Sequence, residues 1–469
     1  MSFRITSALW LATASLLAAA PKPNVLFIAV DDLRPWLGCY DPGLKISPNI
    51  DKLAATGRIF TRHYVQVPTC GASRCALMFG RRAGHLAGDG GNEAALKTAA
   101  KQPVPALPAL FKANGYQTIS VGKVTHYPGN HTGKDWVAGA EELPGAWDVA
   151  SMPCGPWQTP EAAMHGYAGG IARSAMAGKP VTQQAEGDDK TYPDGWIAEE
   201  AIARLKAAAA ADKPFFLAAG FIKPHLPFAA PKSYYEELAH IDPPSPKVTT
   251  KPGFPTTWHN SNEFRGYTAN AGDPFQSPAA AVEYRRAYLA CIRYTDAQVG
   301  KLLAALDASP AAGNTLVVLW GDHGWLLGEH GVWGKHCLFE EGLRSPLIIR
   351  APGQTQPGAK TEAVVETVDL YPTLASYAGL PLPDQLEGRS LKPQLDEPKT
   401  PSGRPALAAW ESFRSIRDER FHLVVSSKNP GHVELYDHQG DPGEAVNVAA
   451  DHPAEVAGLR AKLEASSQR

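Results

Sequence analysis

Four short apolar runs along the chain have the pattern of strands that are buried on both faces of a sheet. Residues 24–30 read Asn-Val-Leu-Phe-Ile-Ala-Val, and similar runs occupy residues 116–121, 214–219 and 314–320. A continuous apolar run of this length is typical of a strand that has helices on both sides. The pattern therefore predicts an α/β protein with a large central sheet.

Amphipathic segments lie between these runs and predict the covering helices. Apolar residues recur at helical spacing in residues 47–57 and 283–308, and a further helix is expected over residues 367–380. Residues 346–350 are strand-like. Residues 127–195 are rich in Gly, Pro and Trp with little periodicity, which predicts loops around a site rather than a separate domain.

The pattern changes in the last part of the chain. Residues 414–417, 421–425 and 433–437 alternate like antiparallel strands, and residues 454–465 have the pattern of a final helix. This predicts a small α+β C-terminal subdomain over residues 396–469.

Each of the four apolar runs is followed by ionisable residues. The carboxyl ends of strands in open α/β sheets are where such folds bind ligands, so these residues are expected to converge. A single Lys or His after a strand is more often an ordinary surface or capping residue, but four recurrences favour a common site. In chain order, the residues are Asp31 and Asp32, Lys123 and His126, His225, then Asp322 and His323, followed by Lys335 in a later loop.

The run from Cys70 to Arg74 precedes an apolar segment and predicts the start of a helix. If Cys70 caps that helix, the two side chains share one face beside unpaired backbone N–H groups, which suits an anion. The alternative is a buried cysteine beside a surface arginine. A cysteine-dependent phosphatase built on Cys75 and Arg81 is rejected, because residues 76–79 are a core-packing stretch.

Composition and the N-terminus narrow the classes of function. The 469-residue chain has a formal net charge of −2 and no basic run, so no nucleic-acid partner is expected. Residues 1–20 have the pattern of a signal peptide, which predicts a periplasmic or secreted protein without stable membrane insertion. The six cysteines could pair after export, but their spacing shows no dense disulfide framework.

These motifs together resemble the type I sulfatases of the alkaline-phosphatase superfamily, and within them the iduronate-2-sulfatase branch. The resemblance runs from about residue 22 to residue 447. A Lys thirteen residues after the Asp of an Asp-His pair is typical of a subset that includes this branch. The motifs are residues 22–26 and 31–35, residues 47–51, Cys70-x-x-x-Arg74, residues 122–126, residues 223–228, and residues 321–325 with Lys335.

The resemblance implies both a fold and a cofactor set. The expected fold is an alkaline-phosphatase-like sandwich with a large mixed sheet flanked by helices, as a catalytic domain over residues 22–395 that precedes the C-terminal subdomain. A maturing enzyme would oxidise Cys70 to formylglycine. One divalent cation, most often Ca²⁺, would be held by oxygen-rich ligands, although a histidine leaves manganese open. The implied metal ligands are Asp31, Asp32, Cys70, Asp322 and His323.

The resemblance also gives roles to the remaining ionisable residues. A sulfate ester is negatively charged and repels nucleophiles, so Arg74, Lys123 and Lys335 would spread that charge. His225 or Lys335 would protonate the leaving oxygen, and His126 would act as a base when sulfate is released. Ala72 departs from the commonest maturation motif, which has Pro at that position.

The sequence leaves the substrate open. A sulfated oligo- or polysaccharide is expected, with uronate 2-O-sulfates as the first choice by resemblance and sulfated algal galactans or fucans as the alternative. Two other functions remain: a phosphodiester or phosphonate monoester hydrolase on the same fold, and a non-catalytic protein that binds sulfated glycans. The complete set of ionisable residues argues against the second.

Overall fold

The computed structural model describes residues 22–82, 91–132, 136, 139–253 and 257–466. The predicted signal peptide, residues 1–20, lies outside the described residues. Within those ranges, no helix is both long enough and apolar enough to cross a membrane.

An eight-stranded mixed sheet forms the centre of the molecule, in the order β12-β2-β11-β8-β1-β6-β3-β4, and smaller sheets lie around it. The strands of the described residues, in chain order, are β1 (Asn24–Val30), β2 (Arg58–Tyr64), β3 (Gln117–Gly122), β4 (Val149–Ser151), β5 (Thr182–Ala185), β6 (Phe215–Phe221), β7 (Phe228–Pro231), β8 (Thr315–Gly321), β9 (Leu326–Leu327), β10 (Trp333–Gly334), β11 (Leu347–Arg350), β12 (Lys360–Glu366), β13 (Ala406–Trp410), β14 (Phe413–Arg417), β15 (Phe421–Ser426) and β16 (Val433–Asp437).

The four predicted buried strands are neighbours in this sheet and run parallel. β1 pairs with β8 on one side and β6 on the other, and β6 pairs in turn with β3. β11 is antiparallel to both of its neighbours, so the sheet is mixed. This confirms the expected central sheet.

Helices cover both faces of the sheet, and each face has its own apolar core. Side chains alternate along β1: Leu26 and Ile28 pack on the face covered by α1, α6 and α9, and Phe27 packs on the face covered by α2, α4 and α11. The helices of the described residues are α1 (Pro48–Thr56), α2 (Cys70–Phe79), α3 (Ala94–Thr98), α4 (Leu107–Ala113), α5 (Pro160–Met164), α6 (Pro193–Ala209), α7 (Lys232–Glu237), α8 (Asn262–Arg265), α9 (Pro278–Asp307), α10 (Glu340–Leu343), α11 (Leu370–Tyr377), α12 (Lys392–Asp396) and α13 (Pro453–Ser466).

The C-terminal part folds as predicted, as an antiparallel sheet of β13 to β16 with α13 against it. Ile416, Leu423 and Leu435 of the sheet form a separate small core with Leu459 and Leu463 of α13. That separate core supports a domain division at about residue 395, which stays a prediction.

Several predicted boundaries differ from the structure. The long helix begins at Pro278, five residues earlier than expected, because Ser277 caps it by accepting the N–H of Ala280 at 3.2 Å. Residues 127–195 are mostly loop, yet they include β4, which completes one edge of the central sheet. Thr69, and not Cys70, is the N-cap of α2. All six cysteines are free thiols in the structure, so the possible disulfide pairing is not realised.

Candidate active site

The carboxyl ends of β8, β1, β6 and β3 bring the predicted residues to one place. Val30, the last residue of β1, pairs with both Gly321 of β8 and Phe221 of β6. Gly122 pairs with Gly220, where an added Cβ would lie 2.1 Å from the backbone of Lys123. The strands therefore end level with one another, and the residues that follow them are neighbours.

Two carboxylates follow β1 in a constrained turn. Asp32 has a left-handed backbone conformation with φ of 55°, which is uncommon for a residue with a side chain. Its N–H donates to Asp322 Oδ1 at 3.0 Å, and its carbonyl accepts from the hydroxyl of Tyr288 at 2.6 Å. The turn is thus held from β8 and from α9, so that Asp31 and Asp32 both have fully buried side chains beside Asp322.

Arg74 lies buried between two of these carboxylates. Its Nη2 lies 2.9 Å from both Asp31 Oδ1 and Asp322 Oδ2, and its Nε donates to Asp322 Oδ2 at 3.0 Å. Its Nη1 donates to the carbonyls of Lys123 and Val124. Four of the five guanidinium N–H groups therefore donate hydrogen bonds within the protein, and the guanidinium is mainly engaged in holding the two carboxylates.

The charges of this cluster shift the pKa values of its members. Burial raises the pKa of Asp31, but the charges of Lys123, 2.5 Å away, and Arg74 outweigh burial and hold that pKa well below its usual value. Burial lowers the pKa of Lys335, but the negative groups around it, of which Asp32 at 2.8 Å contributes most, together outweigh burial and raise that pKa well above its usual value. Asp31 is therefore anionic and Lys335 is cationic.

Cys70 is the first residue of α2 and lies at the centre of the cluster, 1 % exposed. Its Sγ is 3.2 Å from His323 Nε2, 3.3 Å from Lys335 Nζ and 3.7 Å from Asp32 Oδ1. Burial, followed by the charge of Asp31, raises the pKa of the thiol well above its usual value. An unmodified Cys70 is therefore a poor nucleophile, because the thiolate is the reactive form.

The donor set suits a hard divalent cation. One ligand atom from each of Asp31, Asp32, Cys70 and His225 lies within 4.8 Å of the others, and the same is true of Cys70, Asp322 and His323. Asp32 Oδ2 is buried and has no hydrogen-bond partner among the described residues. Such an orphaned carboxylate oxygen is costly to bury unless a cation or a proton faces it.

The tautomer of the His323 ring also indicates that this donor set suits a divalent cation. Its Nδ1 lies 2.8 Å from the carbonyl oxygen of Gly324, which can only accept a hydrogen bond, so Nδ1 carries the proton. In the neutral ring Nε2 then has a lone pair, and it lies 3.2 Å from Asp32 Oδ1. Two acceptors that face each other need a cation between them, and a carbonyl-oriented histidine is a typical metal ligand.

The ring of His225 is oriented in the same way as that of His323, through a backbone carbonyl beside its Nδ1. Its Nδ1 lies 2.7 Å from the carbonyl oxygen of Leu226, and its Nε2 lies 3.4 Å from Glu263 Oε1 and 3.9 Å from Asp32 Oδ2. Glu263 Oε1 also lies 3.4 Å from Lys335 Nζ. Nε2 of His225 therefore faces carboxylates on two sides.

His126 has the opposite electrostatic environment. Burial, and then the charge of Lys123, lower the pKa of its imidazole well below the usual value, although Asp31 opposes the shift. Its Nδ1 is buried with no hydrogen-bond partner among the described residues, and its ring packs against Tyr127 and Trp136. His126 is therefore a neutral imidazole with a free nitrogen, which suits a base.

The structure brings together all the residues that the sequence singled out, and it adds three that the sequence did not indicate. Glu263 joins the site from α8. Asp194, near the start of α6, accepts the N–H groups of residues 222 and 223 at 2.8 Å and so fixes the segment that carries His225. Glu142, whose pKa burial raises to about 7, accepts the N–H of Tyr127 at 2.7 Å. Of these three residues, only Asp194 had a local signal in the sequence, because an acidic residue directly after Pro193 is typical of the first turn of a helix.

The fold and the site are those of a hydrolase that acts on anionic esters. Its carboxylates lie at the carboxyl ends of the strands of a mixed sheet, in an arrangement that suits a metal ion. Comparison with known proteins gives the family. The sulfatase family model matches residues 23–380, and a model described as N-sulphoglucosamine sulphohydrolase, C-terminal, matches residues 328–468. The chain belongs to the sulfatase family and is a sulfuric ester hydrolase.

Individual relatives agree with this assignment. The chain is 34 % identical to iduronate 2-sulfatase of Homo sapiens over 469 aligned positions, which cover 92 % of this chain and 81 % of the relative. A solved structure in complex with its substrate D-glucosamine-2-N,6-O-disulfate aligns with a TM-score of 0.73 at 22 % identity, over 96 % of this chain and 98 % of that one. Phosphonate monoester hydrolase from Silicibacter pomeroyi aligns with a TM-score of 0.70 at 23 % identity, over 95 % of both chains. These structures confirm the alkaline-phosphatase-like fold.

The position of Arg74 leads to a stability prediction. Arg74→Ala leaves Asp31 and Asp322 buried without their shared cation, so we expect a loss of about 3–5 kcal/mol in the free energy of unfolding, measured by urea denaturation. The free energy of unfolding of Arg74→Lys should lie between those of Arg74→Ala and the wild type, because lysine keeps the positive charge but lacks the forked donors of the guanidinium. Arg81→Ala, near the other end of α2, is the matched control and should change stability by less than about 0.5 kcal/mol. Equal stability of Arg74→Ala and the control would contradict the prediction.

Proposed function

We propose that the protein is an exported sulfatase that removes sulfate esters from a sulfated glycan, with formylglycine at position 70 and one divalent cation. The observation that carries the proposal is the surroundings of the Cys70 side chain, where an orphaned carboxylate oxygen, an oriented histidine and a buried lysine converge. The charges of Asp31, Asp32 and Asp322 balance those of Arg74, Lys123 and Lys335, and Glu263 beside Lys335 adds one further negative charge. A divalent cation makes the cluster net positive, as an anionic ester requires.

The metal would be held by Asp31, Asp32, Asp322 and His323 together with residue 70. Mainly oxygen donors favour Ca²⁺, and the single imidazole is compatible with it. When bound, the cation would neutralise charge on the ester oxygens and on the attacking group. In this proposal Arg74 is a positioning residue that holds Asp31 and Asp322 in place and adds positive charge to the site.

Conversion of Cys70 is supported by the poor nucleophilicity of the buried thiol. A formylglycine would supply a hydrated aldehyde in its place. Because Cys70 is almost completely buried, a maturing enzyme would need to act before the chain folds. Ala72 is also buried at the start of α2, which is consistent with a small residue at that position.

The two histidines would divide the proton transfers. His225, with its Nε2 between carboxylates, would donate a proton to the leaving oxygen, and Lys335 is the alternative donor. His126, neutral at physiological pH, would accept a proton when sulfate is released. A histidine that burial keeps neutral suits the role of the base, and one whose Nε2 faces carboxylates suits the role of the acid.

The substrate class rests on the relatives. Iduronate 2-sulfatase similarity over most of the chain favours a uronate 2-O-sulfate, and the solved neighbour that binds a disulfated glucosamine is consistent with sulfated glycans in general. The likeness to phosphonate monoester hydrolases keeps that activity as the second candidate. Export is inferred from the signal-peptide pattern of residues 1–20.

The first prediction concerns residue 70. Protein expressed with a sulfatase-maturing enzyme should hydrolyse sulfate esters, and peptide mass spectrometry should find an aldehyde in place of the Cys70 thiol. Cys70→Ala should be folded and inactive. Cys75→Ala, the control on the same helix, should keep both activity and the modification. Active protein that contains only unmodified Cys70 would refute the proposed nucleophile.

The second prediction concerns the cation. Purified protein should contain about one divalent metal per chain by elemental analysis. Asp32→Ala should lose that metal, because the variant lacks the carboxylate oxygen that has no other partner in the site. Lys335→Ala should keep the metal, since a lysine is not a ligand. Full turnover by protein that has been freed of divalent metal would contradict this part of the proposal.

The third prediction separates the histidines. His225→Ala should slow the release of poor leaving groups such as sugar alcohols by about 100- to 10,000-fold, and aryl sulfates much less, because an activated phenol needs little protonation. His126→Ala should release about one alcohol per enzyme before turnover stalls, with sulfate release lagging. Rapid-quench measurement of both products tests this. If the two variants lose sugar and aryl substrates equally, without a burst, the separate roles are wrong.

A further inference from the structure

Beyond the reacting groups, several side chains near His225 have polar atoms without a partner. The ring of His165 lies 5.2 Å from that of His225, centre to centre, and its Nδ1 is buried and unbonded. Tyr267 is 6 % exposed, and its hydroxyl also has no hydrogen-bond partner among the described residues. A buried phenol usually finds a partner, so this hydroxyl indicates a ligand.

Arg173 completes this group of side chains. Its guanidinium carbon lies 4.2 Å from the centre of the Tyr267 ring, and its Nη2 donates weakly to the carbonyl of Gly266 at 3.4 Å. No carboxylate of the described residues lies within ion-pair distance of it. A half-buried arginine that stacks on an aromatic ring and lacks an anionic partner is preorganised to bind an anion through its fork of donors.

The chain places this group beside the leaving-group acid. Tyr267 comes four residues after Glu263, just beyond the end of α8, and Glu263 contacts both His225 and Lys335. The charges of Glu263 and Lys335 act on the pKa of Tyr267, and the charge of Arg173 acts on the pKa values of Tyr267 and His165. The group therefore lies beside the residues that are proposed to act on the leaving oxygen.

We infer that Arg173, Tyr267 and His165 form a subsite for a second anionic substituent of the substrate, next to the sulfate ester that is cleaved. The inference rests on the proposed function and deepens it. A carboxylate of a uronic acid and a second sulfate share the chemistry that this subsite recognises. Glu263 Oε2, buried and unbonded, would accept a hydrogen bond from a hydroxyl of the same sugar.

The test compares matched substrates in matched variants. One pair is a 2-O-sulfated uronic acid glycoside and its carboxyl-reduced analogue, and the second pair is a disulfated hexose and the monosulfated hexose. For the wild type, kcat/KM should be higher for the member with the additional anionic group in at least one pair. The pair that shows this preference identifies the substituent that the subsite binds. In Arg173→Gln that preference should fall by about tenfold to a hundredfold, the usual range for a charge-assisted contact.

Three further variants distinguish recognition from a general structural effect. Arg173→Lys should restore part of the preference, and Tyr267→Phe, which keeps the ring under the guanidinium, should reduce it less than Arg173→Gln. Arg265→Gln is the control, because Arg265 is exposed on α8 and lies 4.0 Å from Phe275 instead. An equal preference in wild type and Arg173→Gln, or no preference in the wild type, would overturn the inference.

A binding measurement keeps this test separate from the proposed function. Protein with unmodified Cys70 can be titrated calorimetrically with the same four compounds, without turnover. If Arg173→Gln binds the compound with the additional anionic group more weakly than the wild type does, the subsite is supported even if no sulfate ester is hydrolysed. A lack of hydrolysis would then count against the proposed reaction alone. Equal binding by both proteins would overturn the subsite alone.

Discussion

The burial of Arg74 between Asp31 and Asp322 is the interaction on which the rest of the site depends. Two carboxylates from neighbouring strands repel each other in a low dielectric, and the guanidinium between them compensates both charges. The same side chain donates to the backbone that follows β3, so one residue of α2 ties three strands together. Asp32 Oδ1 is paired with Lys335, and Asp32 Oδ2 remains as the uncompensated oxygen of the cluster, which points to a cation.

The geometry also explains why histidines of similar reactivity would act differently. Both rings lie within the same cluster, but His126 is buried next to lysine and is held neutral, whereas Nε2 of His225 faces two carboxylates. Glu263 gives His225 this environment, and it also contacts Lys335. The proposed division of acid and base roles would thus follow from the strand that precedes each histidine and from the contact of Glu263 with His225.

In the inferred subsite, specificity would be decided away from the reacting atoms. The central sheet belongs to a fold that sulfatases share with phosphonate monoester hydrolases. Residues 165, 173 and 267 instead lie in loops, two of them just after short helices. Unpaired polar atoms there would remain costly unless a ligand or water satisfies them. Loops carried by a rigid scaffold are where enzymes of one fold usually differ in substrate.

The four buried strands, the residues that follow them and the helix that begins at Cys70 could be predicted from the sequence, because each of these has a local periodic or motif signal. The family could also be recognised, because several motifs resemble those of the sulfatases, and the family model confirms it. The contact of Glu263 with His225, the burial of Arg74 between two carboxylates and the addition of β4 to the sheet could not be predicted. These features depend on packing between segments far apart in the chain. They become visible in the folded protein, because charge pairing and desolvation depend on distances that no local pattern encodes.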